Sequence, residues 1–148
     1  MSASIPSKLQ LTLLTLSGGF CEYCKFPEAF RSGAFHNDHI LPQVLGGMTV
    51  LINMARCCAF CNQNKHTATT GFDPVSGTDV PLFHPRRQIW KEHFRWTDDY
   101  LLIVGTTPTG RATVEKLHLN RETCINIRRV MVAGGMDYPP SDTLADSI

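Results

Sequence analysis

The stretch CEYC at residues 21–24 holds two cysteines separated by two residues, and the same spacing returns as CAFC at residues 58–61. A tight C-x-x-C turn places two sulfurs on one metal ion, so two such turns supply the four sulfurs of a tetrahedral zinc site. A closed site of this kind leaves no position for a reacting water, and its expected role is structural. We predict that one zinc ion binds the four cysteines of these turns, which are Cys21, Cys24, Cys58 and Cys61.

A redox role for these turns is the alternative, since thioredoxin-like motifs share the C-x-x-C spacing. No βαβ pattern surrounds either turn, which favours zinc. The segment between the turns, residues 25–57, is longer than the usual zinc-ribbon spacing of about 15 to 20 residues, so another structure must be inserted there. The remaining cysteines, Cys57 and Cys124, are expected to be small buried apolar residues.

Composition predicts one domain and excludes several function classes. The chain has 148 residues, 43% of them hydrophobic, which suffices for one compact core. Its 14 Lys plus Arg nearly balance 13 Asp plus Glu, so any basic surface for nucleic acid must be local. No apolar run approaches the roughly 18 residues of a membrane span. We expect a soluble, cytoplasmic protein with no membrane partner, in which residues 9–17 form a first helix or turn rather than a signal peptide.

The inserted segment predicts two strands followed by a helix. Residues 34–41 indicate a short strand, residues 42–49 a loop containing two adjacent glycines, and residues 50–54 a second apolar strand. A helix is then expected from NQNKHTAT, residues 62–69. Asn62, Lys65 and His66 would share one face of that helix.

These motifs, in this order, resemble the HNH endonuclease family. The resemblance is carried by CEYC, NDHILPQVLGG and LINMARCCAFCNQNK and is close over residues 20–66. It implies an α+β fold in which a ββα-metal core is stapled by a structural zinc. FDPVSGTDVPLFHPRR and TPTGRATVEKLHLNR resemble an extension found in small members of the family.

The resemblance also implies roles for four residues. His39 would be the general base, and Asp38 and Asn62 would bind a single divalent cation. Asn53 would orient His39. A histidine suits proton transfer near neutral pH, and hard oxygen ligands suit Mg²⁺ or Mn²⁺. The third motif position holds Asn62 instead of histidine, and His66, one helical turn later, is the competing ligand.

Asp38 and His39 are neighbours, which sets a geometric condition. Successive side chains of a regular strand point to opposite faces, so both can reach one phosphate only where the strand bends or ends. The sequence therefore predicts a strand end at this pair.

Basic residues are the candidates for phosphate contact. Lys65 would lie beside the metal face of its helix, and Arg86 and Arg87 follow a histidine and a proline in the extension. Guanidinium groups match phosphate oxygens, although an ordinary solvated surface explains these residues almost as well. Arg128 and Arg129 are expected to extend a basic surface or to be solvated.

The extension is predicted as a helix, a β-hairpin and a second helix. Residues 83–94 fit a short amphipathic helix, residues 100–105 and 112–119 a hairpin, and Asn120 would cap a helix that ends at Gly134-Gly135. We predict a single domain over residues 1–135, with its core at about 20–70 and its extension at about 71–135. The polar, proline-containing segment 136–148 is expected to be disordered.

Three function classes follow from these motifs. The leading prediction is a metal-dependent endonuclease that hydrolyses phosphodiester bonds in DNA, with RNA as the alternative substrate. The second is a zinc-stapled nucleic-acid-binding module without cleavage activity, and the third is a redox or interaction protein that uses its thiols. A protein partner and a homodimer both stay open.

Overall fold

The computed structural model describes residues 4–140, which combine short helices with small antiparallel sheets. The helices are α1 Ser7–Ser17, α2 Ala59–Lys65, α3 Trp90–His93, α4 Pro108–Leu117 and α5 Glu122–Ala133. The strands are β1 His36–His39, β2 Met54–Cys57, β3 Thr70–Asp73, β4 Thr78–Pro81, β5 Phe94–Trp96 and β6 Ile103–Gly105. Within this part of the chain, β1 pairs with β2, β3 with β4, and β5 with β6. No described helix has the length and apolar character needed to cross a bilayer.

The first sheet is the hairpin that the sequence predicts, with its second strand displaced along the chain. β1 and β2 are antiparallel, with His39 opposite Met54 and His36 opposite Cys57. The second strand was expected at residues 50–54, but Leu51–Asn53 forms a 3₁₀ turn and the strand begins at Met54. The apolar residues of the expected strand are largely exposed, among them Ile52 at 47%. The apolar residues 50–52 therefore do not coincide with the residues that pair with β1.

Helix α2 begins earlier than predicted because a cysteine caps it. The Cys58 sulfur accepts a hydrogen bond from the Cys61 backbone N–H at 3.4 Å, which satisfies an otherwise unpaired donor of the first turn. The helix ends at Lys65, and His66 follows with a positive φ of 48°. His66 is therefore outside the helix on which it was expected.

The predicted hairpin of the extension is wrong in its second half, where the chain forms helix α4. Thr107 accepts a hydrogen bond from the Gly110 N–H, and Pro108 occupies the first helical turn. A threonine N-cap followed by proline is a signal for the start of a helix. The same stretch, TTPTGR, is also compatible with the turn that the sequence analysis predicted. Strand β6 pairs instead with β5, which follows the short helix α3. Residues 83–94 thus contain only four helical residues, and the β3–β4 hairpin was not predicted.

One apolar core joins the HNH-like segment to the extension. The core combines cysteines of the two C-x-x-C turns with aromatic and aliphatic residues that come much later in the chain. Phe94 contacts two other rings within this core, Phe83 edge-to-face with a centroid separation of 5.3 Å and Trp90 in a tilted arrangement at 4.9 Å. The extension therefore covers the cysteine turns rather than forming a separate layer.

Arg128 is fully buried, which contradicts its predicted place on the surface. Its guanidinium donates to the backbone oxygens of Leu101 at 2.9 Å, Leu119 at 2.6 Å and Cys24 at 3.2 Å. It also donates to the Asn120 amide oxygen at 3.0 Å. Asn120 therefore does not cap α5 as predicted, although that helix is present and ends before Gly134.

The start of the segment expected to be disordered packs on the domain. The Tyr138 ring lies 5.5 Å from Trp96 and 6.1 Å from Phe20, measured between centroids. Residues 141–148 lie outside the described residues, so disorder there stays a prediction.

Replacing Arg128 by methionine should strongly destabilise the fold. The change leaves several buried carbonyl groups without a donor, and each such loss costs about 1 to 3 kcal/mol. We expect unfolding free energy to fall by about 3 kcal/mol or more, measured by urea denaturation at constant zinc. Arg129→Met is the matched control, since Arg129 is exposed on the same helix. Equal stability of the two variants would contradict the role given to Arg128.

Candidate active site and metal centre

The two C-x-x-C turns meet in one buried cluster of four sulfurs. All four sulfur atoms lie within 4.8 Å of one another, and those of Cys24 and Cys58 are 3.7 Å apart. A tetrahedral ion with metal–sulfur bonds of about 2.3 Å requires sulfur separations of about 3.8 Å. The predicted set of Cys21, Cys24, Cys58 and Cys61 is thus positioned to bind a metal ion.

The other two cysteines are buried, as predicted, and do not belong to this set. Cys57 and Cys124 are buried, at 0% and 1% exposure, and neither belongs to the four-sulfur cluster. Cys57 occupies the last position of β2, whereas Cys58 begins the turn into α2. The two-residue spacing therefore selected the correct member of the Cys57-Cys58 pair.

A separate pocket of about 410 Å³ lies at the end of β1. Its lining includes Asp38, His39, Asn62 and His66, the residues that the sequence singled out for catalysis and cation binding, together with His36. Strand β1 supplies the first two, and α2 supplies Asn62. The hairpin followed by the helix therefore brings these motif positions to one place.

The strand end predicted at Asp38 and His39 is present. β1 ends at His39, and the chain bends at Ile40 immediately afterwards. Asp38 is buried at 8% exposure with its carboxylate against Lys65, His39 is partly buried, and both residues contribute to the lining of the same pocket.

Lys65 is not available for the phosphate contact predicted for it. Its side chain is 2% exposed, and its Nζ atom lies 3.1 Å from the Asp38 Oδ2 atom. Nζ also donates to the backbone oxygens of His39 at 3.3 Å and Ile40 at 3.0 Å. The prediction was wrong because α2 turns this residue inward, under the end of β1. Burial raises the pKa of Asp38, and the charge of Lys65 opposes that shift.

His39 is held by a residue that sequence reasoning missed. Its Nε2 atom and the Thr49 hydroxyl are 2.8 Å apart. Partial burial lowers the pKa of His39; the Asp38 carboxylate opposes this shift and the Lys65 charge reinforces it. The imidazole is therefore mainly neutral at neutral pH, the form that can accept a proton. No spacing rule connects residues 39 and 49, so the sequence carried no signal for this contact.

Asn53 acts on the loop after His39 rather than on the His39 ring. Its amide oxygen accepts from the Leu41 N–H at 2.8 Å, and its amide nitrogen donates to Leu41 O at 3.0 Å and Met48 O at 2.9 Å. Its backbone oxygen also accepts from the Ile40 N–H at 2.8 Å. The contacts of Asn53 thus reach the backbone of the residues that follow His39, and its orientation of His39 stays a prediction.

The loop that Asn53 closes needs its paired glycines. Gly46 has a φ of 93°, which disfavours other residues. A Cβ atom at Gly47 would lie 1.7 Å from Leu41 O and 2.9 Å from the Asn53 amide nitrogen. Any side chain at Gly47 would therefore displace the loop beside the pocket.

Arg86 is a structural residue, and its predicted phosphate contact is wrong. Its side chain is 5% exposed, pairs with Glu22 and donates from Nε to Met54 O at 2.9 Å. Burial lowers the pKa of Arg86 to about 10. Glu22 also accepts from the Arg56 N–H at 2.7 Å, so Arg86 is bound into the first cysteine turn. Arg87 is exposed, and phosphate contact there stays a prediction.

Residues 21–71 match the family model described as HNH endonuclease. This segment is similar to HNH endonucleases. It spans both cysteine turns, β1, β2 and α2 and ends at the start of β3. Comparison with curated proteins and with solved structures gave no significant match. The resemblance read from the motifs is confirmed over the HNH segment, and the family implies a nucleic acid substrate.

Lys65→Met should destabilise the HNH segment because it leaves the Asp38 carboxylate buried without its cation. Breaking a buried pair from one side costs about 3 to 5 kcal/mol. We expect a loss of that size in urea denaturation. Lys116→Met, at an exposed position of α4, should change stability by no more than about 0.5 kcal/mol. A similarly small change for Lys65→Met would show that the Asp38–Lys65 pair does not stabilise the strand end.

Proposed function

We propose that this protein is a metal-dependent endonuclease that hydrolyses phosphodiester bonds in DNA. The observation that carries the proposal is the shared pocket of Asp38, His39 and Asn62 inside a segment that matches the HNH family. In this proposal, β1, β2 and α2 form the ββα-metal core, and residues up to about 135 form a single domain. The common core of the HNH segment and the extension supports the single domain.

His39 is the proposed general base. It lines the pocket at the end of β1, and its hydrogen bond to Thr49 fixes one ring nitrogen and leaves the other for a water molecule. Proton transfer from water by a positioned histidine contributes typically about 10² to 10⁴ in rate. Thr49 and Asn53 are positioning residues in this scheme, because they hold the ring and the loop that follows it.

Asp38 and Asn62 are the proposed holders of a single divalent cation. Their oxygens suit a hard cation such as Mg²⁺ or Mn²⁺. The fit rests on this donor set, because one carboxylate and one amide residue line the same pocket, although the Asp38 Oδ2 atom is already paired with Lys65 Nζ at 3.1 Å. When bound, such a cation stabilises negative charge on the scissile phosphate and the leaving oxygen. His66 lines the same pocket just beyond α2 and is the alternative ligand.

One observation favours the second candidate, a nucleic-acid-binding module without cleavage. The Lys65 ammonium is 3.1 Å from Asp38 and already balances the carboxylate. A second cation near the same carboxylate meets repulsion from Lys65, which weakens its binding. Activity in added Mg²⁺ or Mn²⁺ therefore separates the two candidates.

The net charge and the thiols of the protein bear on its substrate, its partners and its cellular location. A net charge of +1 implies modest non-specific affinity for DNA, which leaves a role for a protein partner or a homodimer in delivering substrate. RNA is the alternative substrate. The four-sulfur site requires reduced cysteines, and we expect a cytoplasmic location for this reason.

Zinc is the proposed ion of the four-sulfur site, with a structural role. The cluster is closed and fully buried except at Cys58, which is 6% exposed. Four thiolates at tetrahedral spacing are typical of structural zinc.

Plasmid nicking by His39→Ala is the direct test of the endonuclease. Wild type should nick supercoiled DNA in Mg²⁺ or Mn²⁺ and not in EDTA, and the variant should lose about 100-fold or more of this activity. His118→Asn is a matched control, because His118 is exposed and adopts a left-handed conformation that asparagine tolerates. Identical nicking by wild type and His39→Ala, both folded, would exclude His39 as the base. Tight binding without any nicking would support the binding module.

Cys58→Ser should abolish stoichiometric zinc and unfold the region around α2. Serine preserves the capping of the helix, so the loss isolates the metal ligand. Metal content by mass spectrometry and circular dichroism measure the two effects. Cys57→Ala, one residue earlier, should retain one zinc per chain. Unchanged zinc in Cys58→Ser would refute the ligand assignment.

A further inference from the structure

A guanidinium group from the extension lies against the four-sulfur cluster. The Arg121 Nη2 atom is 3.2 Å from the Cys58 sulfur and 3.5 Å from the Cys24 sulfur, and Nη1 is 3.7 Å from the Cys61 sulfur. Arg121 sits at the N-cap of α5, sixty residues or more from each of these cysteines. One side chain thus reaches three of the four proposed zinc ligands.

The guanidinium is held in place from two further sides. Its carbon lies 4.5 Å from the centre of the Phe60 ring, a cation–π distance, and Nη1 donates to His118 O at 3.3 Å. Phe60 belongs to the second cysteine turn, so that turn supplies the aromatic face together with the Cys58 and Cys61 sulfurs. The contacts to sulfur therefore do not depend on a freely moving surface side chain.

Charge explains why a cation belongs at this position. A Zn²⁺ ion with four thiolates carries a formal charge of about −2 (2 minus 4) in a buried environment. A neighbouring positive charge lowers the cost of that burial, and N–H donors stabilise the negative sulfurs directly. Arginine offers a planar fork of donors that can reach several sulfurs at once, which the single ammonium of lysine cannot match.

Arg121 and the Cys58 ligand position line the same adjoining cavity. A largely apolar cavity of about 500 Å³ is lined by Cys58, Phe60 and Arg121, with Phe35 and Ile127 on its other walls. A chelator or oxidant entering this cavity meets the guanidinium beside Cys58. The side chain is thus placed to control chemical access to the cluster.

We propose that Arg121 is an outer partner of the zinc site that retains the metal and protects its thiolates. The proposal rests on the structural zinc and is independent of nuclease activity. Through this contact, the start of α5 is fastened to the HNH segment at its metal centre. Loss of the guanidinium should therefore release zinc faster and expose the thiolates, even in a folded protein.

Zinc release tests the proposal directly. Arg121→Gln and Arg121→Lys are compared with wild type and with Arg129→Gln, an exposed arginine on the same helix. Zinc transfer to the coloured chelator 4-(2-pyridylazo)resorcinol is followed under native conditions, with and without hydrogen peroxide. We expect release from Arg121→Gln to be faster by at least about tenfold, as for other losses of outer partners of metal ligands. Arg121→Lys should lie between the two, and Arg129→Gln should match wild type.

Cobalt substitution supplies a readout that a purely structural role would not change. Hydrogen bonds lower the energy of thiolate lone pairs, so their loss should move the sulfur-to-Co²⁺ charge-transfer band of Arg121→Gln to longer wavelength. If Arg121→Gln melts earlier while its zinc release and cobalt band match wild type, Arg121 only packs on Phe60 and the proposal is overturned. If Arg121→Gln does not fold, the same comparison on Arg121→Lys decides. A wild-type protein without zinc would instead overturn the zinc assignment itself.

Discussion

The meeting of two distant cysteine turns at one metal-sized cluster is the constraint on which the other contacts depend. The first turn supplies two sulfurs, and its remaining groups bind the extension: Glu22 pairs with Arg86, Tyr23 O accepts from the Trp90 indole at 3.2 Å, and Cys24 O accepts from Arg128. Because these partners come from different parts of the extension, fixing the turn also fixes how the extension packs. The cluster thus organises residues far beyond its four ligands.

The pocket at the end of β1 depends on a second buried arrangement. Lys65 lies beneath the strand end and holds the Asp38 carboxylate together with two backbone oxygens. On the other side, Asn53 closes the loop that Gly46 and Gly47 allow. The pocket is therefore shaped by a buried ion pair beneath the strand end, which is strong because water is excluded, and by the hydrogen bonds of Asn53 in the adjoining loop. The Lys65 ammonium in this arrangement would also repel the divalent cation proposed to bind Asp38.

Sequence reasoning succeeded where function depends on residues close together in the chain. The C-x-x-C spacing identified the four ligands and excluded Cys57, and the order of motifs identified the HNH segment, later matched over residues 21–71. The strand end at Asp38 and His39 also followed from the alternation of side chains. Sequence reasoning failed where one stretch was compatible with two local structures. TTPTGR can form a turn or the capped start of a helix, and in the folded protein it forms the helix start.

The sequence by itself determined the four cysteines that are positioned to bind a metal ion, the family that residues 21–71 match and several residues that line the pocket, because these follow from local spacing and residue chemistry. Only the tertiary structure decided the roles of the basic residues. Lys65 and Arg86 were predicted to contact phosphate and Arg128 to lie at the surface. In the structure Lys65, Arg86, Arg121 and Arg128 instead each bind a carboxylate, a sulfur or a carbonyl of the protein. A charged side chain enters the interior only where partners replace its lost water, and those partners come from distant parts of the chain.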